Sequence, residues 1–425
     1  MTSSPTVLIV GGGATGTGLA RDLALRGVST LLVERDGLSS GATSRSHGLL
    51  HSGARYAEAN RRGAAECIAE NEILRSIAGA CIRDTGGLFV QLPADDAQYF
   101  DRKRAACNEI GIDTTLLSKR EARDWVPGLS PDVERAMRVP DGVVYPSRLC
   151  AANAADAERH GASVCPHAPL EDLIVEQGTI AKARIGGDAE RIVEPDIVVN
   201  AAGAWAGTVA AMAGLTVEMA PSRGVMVSVD YGGLGPALNR CRDPDDGDIV
   251  VPHDDEAVLG TTSVPVSDPD DYEQADWEIA TSVQECAAML PPVAEASTLR
   301  TWWGVRPLYA PDERAGGNRR GISRGFFAID HAADGVDNAL SIVGGKLTTY
   351  RQMAEATADR VCDKLGVDAA CSTATRSLPG ADDPDRPDAL AAAYDGLRPT
   401  DEDVVDATGS ASRPAPLGVC GRHRF

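Results

Sequence analysis

The sequence predicts an α/β protein whose main domain is built on a doubly wound parallel sheet. An apolar run at residues 6–10 leads into a glycine-rich turn and an amphipathic segment, and strand-to-glycine junctions recur within 196–207 and 338–361. Buried strands that alternate with helical patterns are typical of this class. A chain of 425 residues with 43% hydrophobic content is long enough for two or three globular domains.

The first element, TVLIV, is a β-branched apolar run suited to a strand buried on both faces. Gly11, Gly13 and Gly16 follow with GxGxxG spacing, which permits a tight turn, close backbone approach to a pyrophosphate, and packing of helix on strand. Residues 14–27 have helical periodicity, which places a helix N-terminus near the expected phosphates. Glu34 ends the second predicted strand, where an acid binds ribose hydroxyls. This stretch therefore predicts a Rossmann-like dinucleotide-binding unit.

The segment after Glu34 favours one dinucleotide over the other. Residues 38–56, LSSGATSRSHGLLHSGARY, are not the further βαβ repeat that a nicotinamide domain usually supplies. Small and hydroxyl residues suit a loop that wraps phosphates and a ribityl chain through amides and hydroxyls. Because the later glycine junctions are far along the chain, we expect one cofactor domain interrupted by insertions. The sequence thus favours a bound flavin.

Together these motifs resemble the FAD-dependent glycerol-3-phosphate dehydrogenases, most closely the catalytic subunit of the anaerobic, quinone-linked enzyme. The resemblance spans residues 5–380 and rests on GGGATGTGLARDLALRG, GATSRSHGLLHSGARY, DGVVYPSRL, NAAGAWAG, NRCRDPDDGDIVVP, LGTTS, WWGVRPL, ISRGF and GGKLTTYRQMAE. It implies a doubly wound FAD domain joined to a β-sheet substrate domain. The expected FAD contacts are Gly11, Gly13, Ala14, Thr15, Gly16, Glu34, Arg35, Thr43, Ser44, Ser46, His47, Leu49, Ala202, Gly203, Trp205, Gly344, Gly345, Lys346, Leu347 and Thr348.

Two departures from that family stand out. Met226 occupies the position where the related aerobic enzymes place a histidine beside the substrate, which removes one candidate base. The anaerobic subunit normally continues into a cysteine-rich domain with an iron–sulfur cluster, whereas this sequence ends in PAPLGVCGRHRF with Cys420. One cysteine cannot hold a cluster. We therefore expect a truncated or altered tail and no metal site.

Oxidation of a phosphorylated alcohol needs a phosphate clamp and a proton acceptor. The cations that stand out in glycine-rich or apolar motifs are Arg55, Arg306, Arg324 and Lys346. Each alone could form a surface salt bridge, but the resemblance implies that they converge, and arginine's planar fork suits phosphate. The Tyr56 hydroxyl could bond substrate oxygen or phosphate; its alternative is an amphipathic core position.

The histidines receive different expected roles. His51 is the candidate base for the C2 hydroxyl proton, with packing on the flavin as the alternative. His47 is expected to contact the cofactor. His253, in the acidic loop VPHDDE, is expected to be a solvated turn residue.

The predicted domains are discontinuous. They are an FAD-binding domain of residues 1–75, 140–215 and 320–372, a substrate domain of 76–139 and 216–319, and an acidic tail of 373–425 with one helix near 387–395. In the substrate domain RGVMVSVD, DIVVP and AVLGTTS predict antiparallel strands. The end of the tail that follows this helix is expected to be loosely held or disordered.

The net charge and the composition limit the classes of binding partner that the sequence predicts. A net charge of −21 argues against general binding to nucleic acid or anionic lipid. Five lysines beside 36 arginines, and the acidic clusters RDPDDGD, PHDDE and SDPDDYE, suggest a halophile-like solvated surface; a GC-rich genome is the alternative. No apolar run has the length of a transmembrane helix, and the ten cysteines form no CxxC pair. We expect a cytoplasmic protein with reduced thiols, peripheral on the inner face of the membrane.

The leading functional hypothesis is oxidation of sn-glycerol 3-phosphate to dihydroxyacetone phosphate, by hydride transfer from C2 to flavin. Electrons would pass to quinone through electron-transfer and membrane-anchor subunits. One alternative is an amine or amino-acid oxidase on the same scaffold, although four separated cations exceed what one carboxylate needs. The other is a non-catalytic subunit that binds FAD.

Overall fold

The computed structural model describes residues 6–310, 325–383 and 386–394. Its helices are α1 Ala14–Leu25, α2 Arg61–Ile77, α3 Ala97–Ile110, α4 Lys119–Trp125, α5 Pro146–Arg159, α6 Ala206–Met212, α7 Asp276–Met289, α8 Tyr350–Leu365 and α9 Arg386–Ala393. Its strands are β1 Val7–Val10, β2 Thr30–Val33, β3 Leu49–Leu50, β4 Ile82–Arg83, β5 Gly87–Gln91, β6 Thr115–Leu117, β7 Arg135–Val139, β8 Gly142–Val144, β9 Ser163–Cys165, β10 Leu170–Glu176, β11 Thr179–Ile185, β12 Arg191–Val193, β13 Ile197–Asn200, β14 Ser222–Asp230, β15 Ala237–Arg240, β16 Ile249–His253, β17 Glu256–Gly260, β18 Val264–Pro265, β19 Thr298–Arg306, β20 Phe326–Asp330 and β21 Ala339–Gly344.

A six-stranded sheet forms the centre of the cofactor half, in the order β20-β21-β13-β1-β2-β9. Its strands are parallel except β20, which runs antiparallel to β21. Alternate residues of β1 face opposite cores: Val7 and Ile9 pack against α1, α5 and α8. Leu8 and Val10 face α6 and the small sheet β10-β11-β12. Both faces are covered, as expected for a parallel sheet, and the predicted doubly wound α/β fold is confirmed.

The strand order brings the three glycine junctions together. Strands β21, β13 and β1 are neighbours and parallel, so their carboxyl ends lie at one edge of the sheet. After β1, Gly11 has φ +113°, and a Cβ there would lie 2.5 Å from the Ala201 carbonyl oxygen. At the end of β21, Gly344 has φ +80°. Glycine is required at these two corners because other residues would be strained.

A nine-stranded sheet forms the other half, in the order β18-β14-β17-β16-β15-β5-β7-β6. The ninth strand, β19, lies off this order and pairs antiparallel with β14. The predicted antiparallel pairing of β14 with β17 and of β16 with β17 is present. Helices α4 and α7 cover one face of this sheet. On the opposite face Met226 packs with Trp302 and Val258. The predicted domain boundaries remain our proposal.

The start of the acidic tail is packed against the cofactor half. Leu378 is buried, and its amide donates to the Ile77 carbonyl at 2.8 Å. Asp388 of α9 pairs with Arg148 at 2.7 Å. Apolar and ionic contacts thus hold the described part of the tail, which includes α9 close to the predicted helix. The end that is expected to be loosely held follows this helix, and that expectation stays a prediction. Residues 395–425, including Cys420, lie outside the described residues.

The described residues also bear on cysteines, metals and membranes. The nine described cysteines are free thiols, eight of them buried, and burial raises the pKa of Cys67 to about 12. Within the described ranges, no cluster of three or more potential metal ligands occurs. In the same ranges, no helix combines the length and the apolar character needed to cross a bilayer.

Candidate active site

A cavity of about 480 Å³ opens at the edge where β1, β13 and β21 end. The N-terminus of α1 borders it, with Gly13 as the N-cap and no acidic residue in the first turn. Glu34 lines the cavity, and its carboxylate accepts bonds from the amides of Gly12 at 2.7 Å and Asp36 at 2.9 Å. Burial raises the pKa of Glu34. A helix N-terminus beside a carboxylate provides sites for a phosphate and for ribose hydroxyls.

A second cavity of about 200 Å³ adjoins the first. Both are lined by Ala14, Thr15, Thr43, Arg45 and Gly344, so they form one elongated space. A dinucleotide that begins at Glu34 therefore has a continuous path into the smaller cavity.

The smaller cavity brings together four of the predicted catalytic side chains: His51, Tyr56, Arg306 and Lys346. The His51 Nε2 atom lies 3.5 Å from the Tyr56 hydroxyl. The ammonium of Lys346 lies 4.9 Å from the centre of the Tyr56 ring. The His51 amide donates to Thr348 Oγ1 at 3.0 Å, which ties the histidine to the turn after β21. A base, a phenol and two cations thus share one cavity.

Arg306 is held by the second sheet. Its guanidinium donates to the carbonyls of Arg223 at 3.1 Å and Thr262 at 2.8 Å, and to Thr261 Oγ1 at 3.0 Å. These bonds fix the planar group at the wall of the cavity. Of the two predicted cations in this cavity, Arg306 is therefore supplied by the second sheet and Lys346 by the turn after β21.

Of the two remaining predicted cations, Arg55 is described by the structure and does not line the cavities. Its Nη2 lies 3.3 Å from the buried carboxylate of Asp248. It occupies the short 3₁₀ turn that also carries Tyr56. Arg324 lies outside the described residues.

Most of the predicted cofactor contacts line one of the two cavities; three of them do not. Gly16 packs helix on strand, since a Cβ there would lie 1.9 Å from the Gly11 carbonyl oxygen. Ser44 is buried and donates to Ser39 Oγ at 2.7 Å. Thr348 is buried and holds His51. The lining set is Gly11, Gly13, Ala14, Thr15, Glu34, Arg35, Thr43, Ser46, His47, Leu49, Ala202, Gly203, Trp205, Gly344, Gly345, Lys346 and Leu347.

Two expectations about the acidic clusters are wrong. His253 is 1% exposed and its Nε2 bonds the His47 carbonyl at 2.9 Å, so it supports the cavity wall instead of lying in solvent. Burial lowers its pKa. Asp248, from the cluster RDPDDGD, is fully buried between Arg55 and Arg242. The aspartate-rich local sequence indicated that both side chains are solvated, but contacts with residues distant in the sequence bury them.

Several lining residues were not predicted from the sequence, and two charged ones among them are Arg45 and Asp270. Arg45 borders both cavities and donates to the Ser40 carbonyl at 3.0 Å; its place among serines and threonines was an available signal. Asp270 pairs with Arg35 at 2.7 Å and accepts from Trp205 Nε1 at 2.8 Å. The hydrogen bond from Arg35 lowers the pKa of Asp270. No sequence signal marked Asp270, because this contact spans 235 residues.

The fold and the joined cavities define a dinucleotide-binding protein with a cationic site beside the cofactor path. Its donor set fits an extended dinucleotide: a helix N-terminus, a ribose-binding carboxylate and a hydroxyl-rich loop. A family model described as FAD dependent oxidoreductase matches residues 6–360. The chain belongs to this family, and FAD is its cofactor.

Two relatives carry a more specific name. The A1 subunit of the anaerobic glycerol-3-phosphate dehydrogenase of Haloferax volcanii is 48% identical over 397 residues, which cover 90% of this chain and 68% of the relative. Its counterpart in the anaerobic glycerol-3-phosphate dehydrogenase of Escherichia coli K12 is 43% identical over 388 residues, covering 90% of this chain and 71% of the relative. The resemblance inferred from the motifs is thereby confirmed.

Solved structures agree on the fold. The glycerol-3-phosphate dehydrogenase from Bacillus halodurans complexed with FAD has a TM-score of 0.68 and 24% identity, covering 89% of this chain and 68% of that one. The FAD-bound L-alpha-glycerophosphate oxidase from Mycoplasma pneumoniae has a TM-score of 0.70 and 18% identity, covering 89% of this chain and all of that one.

Proposed function

We propose that this chain oxidises sn-glycerol 3-phosphate to dihydroxyacetone phosphate. The observation that carries the proposal is the grouping of His51, Tyr56, Arg306 and Lys346 around one cavity that joins the cofactor path. The names of its relatives support the same substrate.

Each side chain has a task that suits its chemistry. FAD, when bound, supplies the acceptor for the hydride that leaves C2. His51 Nε2 accepts the C2 hydroxyl proton, so that the alcohol can become a ketone. Lys346 and Arg306 hold the dianionic phosphate, and charge-assisted bonds of this kind are the strong ones. Tyr56, at 3.5 Å from His51, orients a substrate oxygen. Arg55 and Arg324 remain predicted phosphate ligands from the sequence.

Two cations also discriminate among substrates. An amino acid presents one carboxylate and a cationic amine, and the amine would be repelled by Lys346 and Arg306. A phosphate monoester carries up to two negative charges and no cation. This contrast favours the phosphorylated alcohol over the amine or amino-acid oxidase alternative.

The electrons must leave the reduced protein. We propose that partner subunits carry them to a membrane quinone, which places the chain peripherally at the cytoplasmic face of the membrane. The relatives are named as single subunits of their enzymes, which supports an assembly with other subunits.

The test is an anaerobic titration of the purified FAD-bound protein, followed by its absorbance. We expect glycerol 3-phosphate to bleach the flavin, and glycine or unphosphorylated glycerol to leave it oxidised. Bleaching by glycine would support the amino-acid oxidase, and no bleaching by any of these would support the non-catalytic subunit. Reoxidation by quinone analogues, compared with air, then tests the electron acceptor.

A further inference from the structure

Lys103 of α3 is a lysine buried in the protein interior, with 1% of its surface exposed. Its ammonium donates to the carbonyls of Ala54 at 3.1 Å and Arg55 at 3.2 Å. It lies 5.0 Å from the ring centre of Tyr99 and 5.4 Å from that of Phe89. Among the described residues it forms no ion pair with a carboxylate. Lysines are almost never fully buried unless they are paired, so this one calls for a physical reason.

The two carbonyls belong to the 3₁₀ turn Ala54–Tyr56, which carries the Tyr56 side chain into the smaller cavity. The chain before the turn is also fixed. The Ser52 amide donates to the buried Asp141 carboxylate at 2.7 Å. At Gly53, where φ is +95°, a Cβ would lie 2.3 Å from the Ala64 carbonyl oxygen, so the backbone packs directly on α2. Lys103 completes this support from the side of α3.

Burial of an ammonium group without a carboxylate partner carries a desolvation cost. Burial lowers the pKa of Lys103, which shows that the charged form loses solvation there. A methionine of similar length would fill the slot without that cost, although it would leave the two carbonyls without these donors. The lysine therefore differs from an apolar side chain of the same length by its donors, and these fix the carbonyl directions of the turn.

We infer that Lys103 is a positioning residue that orients the Ala54–Tyr56 turn and so places the Tyr56 hydroxyl beside His51. The inference rests on the proposed function, because it gives the Tyr56 and His51 pair a role in oxidising the substrate. Lys103 lines neither cavity, and its helix α3 belongs to the predicted substrate domain.

The test replaces Lys103 with methionine in the FAD-bound full chain. Stopped-flow absorbance gives the rate constant of flavin reduction at saturating glycerol 3-phosphate and the substrate concentration for half-saturation. We expect the rate constant to fall about 10- to 100-fold, since small misplacements of reacting groups cost this much. The substrate concentration for half-saturation should change less than about threefold. The variant should keep its FAD content and remain folded at the assay temperature. Lys103→Arg, which keeps the donors, should recover most of the rate.

Lys364→Met is the control for loss of a lysine elsewhere, because Lys364 also donates to a backbone carbonyl, that of Asp337 at 2.9 Å, far from the turn. Lys364 differs from Lys103 in that it pairs with the Asp330 carboxylate at 2.9 Å. The Lys364→Met variant should reduce flavin at the parental rate. A parental rate in Lys103→Met would overturn the inference. Equal loss of FAD or of folding in Lys103→Met and Lys103→Arg would also overturn it, by showing a purely structural role. If glycerol 3-phosphate fails to bleach the parent, the proposed function and this inference fall together.

Discussion

Replacing His51 with asparagine tests the assignment on which the proposed chemistry depends. His51 lines the smaller cavity, and its backbone amide is fixed by Thr348 Oγ1 at 3.0 Å. Because this tether involves the backbone, it survives the substitution. Asparagine also retains a polar group near the Tyr56 hydroxyl. The change therefore removes the basic nitrogen with little expected disturbance of the loop.

The expected fall in the rate of flavin reduction follows from the role of His51 as a general base. A positioned general base contributes about 100- to 10,000-fold to a rate, and each tenfold loss raises the barrier by about 1.4 kcal/mol. We expect at least a ~100-fold slower reduction of the flavin, or a barrier higher by about 2.7 kcal/mol. If His51 only packs on the cofactor, the loss should stay below about tenfold, since no proton transfer is removed.

The measurement is anaerobic stopped-flow absorbance of the FAD-bound variant at saturating glycerol 3-phosphate. FAD content, measured after denaturation, separates slow chemistry from lost cofactor. His160→Asn is the matched control, because His160 bonds a backbone carbonyl at the end of α5, that of Asp156 at 2.7 Å, and lies outside both cavities. Near-normal reduction by His51→Asn with full FAD content would refute the role of His51 as base.

Three further predictions rest on the same contacts. Lys346→Met should raise the glycerol 3-phosphate concentration for half-maximal flavin reduction about 10- to 100-fold, because a charge-assisted bond is lost; an unchanged value would remove Lys346 from the phosphate site. Asp270→Asn should speed FAD release about two- to fivefold at low salt, measured by flavin fluorescence. The effect should shrink at high salt because the pair with Arg35 is exposed. Buried His253 stays neutral while the unfolded chain takes up a proton below its ordinary pKa of 6.5. The free energy of unfolding should therefore fall between about pH 7.5 and 5.5. Urea titration should show a smaller fall in His253→Gln than in the parent, by up to about 1.4 kcal/mol. An equal fall in the two proteins would show that His253 titrates normally.

The cofactor half was predictable because its signals are local. The apolar run Val7–Val10, the glycines that follow and Glu34 are all within about 30 residues, and the geometry of one βαβ unit fixes their relative positions. The later junctions at Gly203 and Gly344 could be predicted to lie beside the first glycine turn, because neighbouring parallel strands bring their carboxyl ends to one edge of the sheet. Sequence periodicity therefore carries enough information to locate the cofactor path.

The burial of charged residues could not be predicted in the same way. Asp248 and His253 lie in stretches that are rich in aspartate, and local composition correctly describes most such positions as solvated. Whether one carboxylate is buried depends on a partner such as Arg55, 193 residues away. Lys103 is a similar case, because a lone lysine in a helix gives no sign of the two carbonyls that face it. These contacts are properties of the tertiary structure.

The same contrast explains how a chain of net charge −21 can attract an anion. Coulomb interactions between exposed charges are screened within about 10 Å at ordinary salt, and more closely at high salt, so the acidic surface acts weakly on a recessed site. Within the cavity the local charges dominate, and there Arg306 is fixed by the bonds to the backbone of β14 and of the segment after β17 while Lys346 is fixed beside Tyr56. If this reasoning holds, added salt should weaken binding of glycerol 3-phosphate far less than it weakens the exposed pair of Arg35 and Asp270. If substrate affinity falls as steeply with salt as FAD retention does, the phosphate site is as exposed to solvent as the pair of Arg35 and Asp270, contrary to the recessed cationic cavity proposed for it.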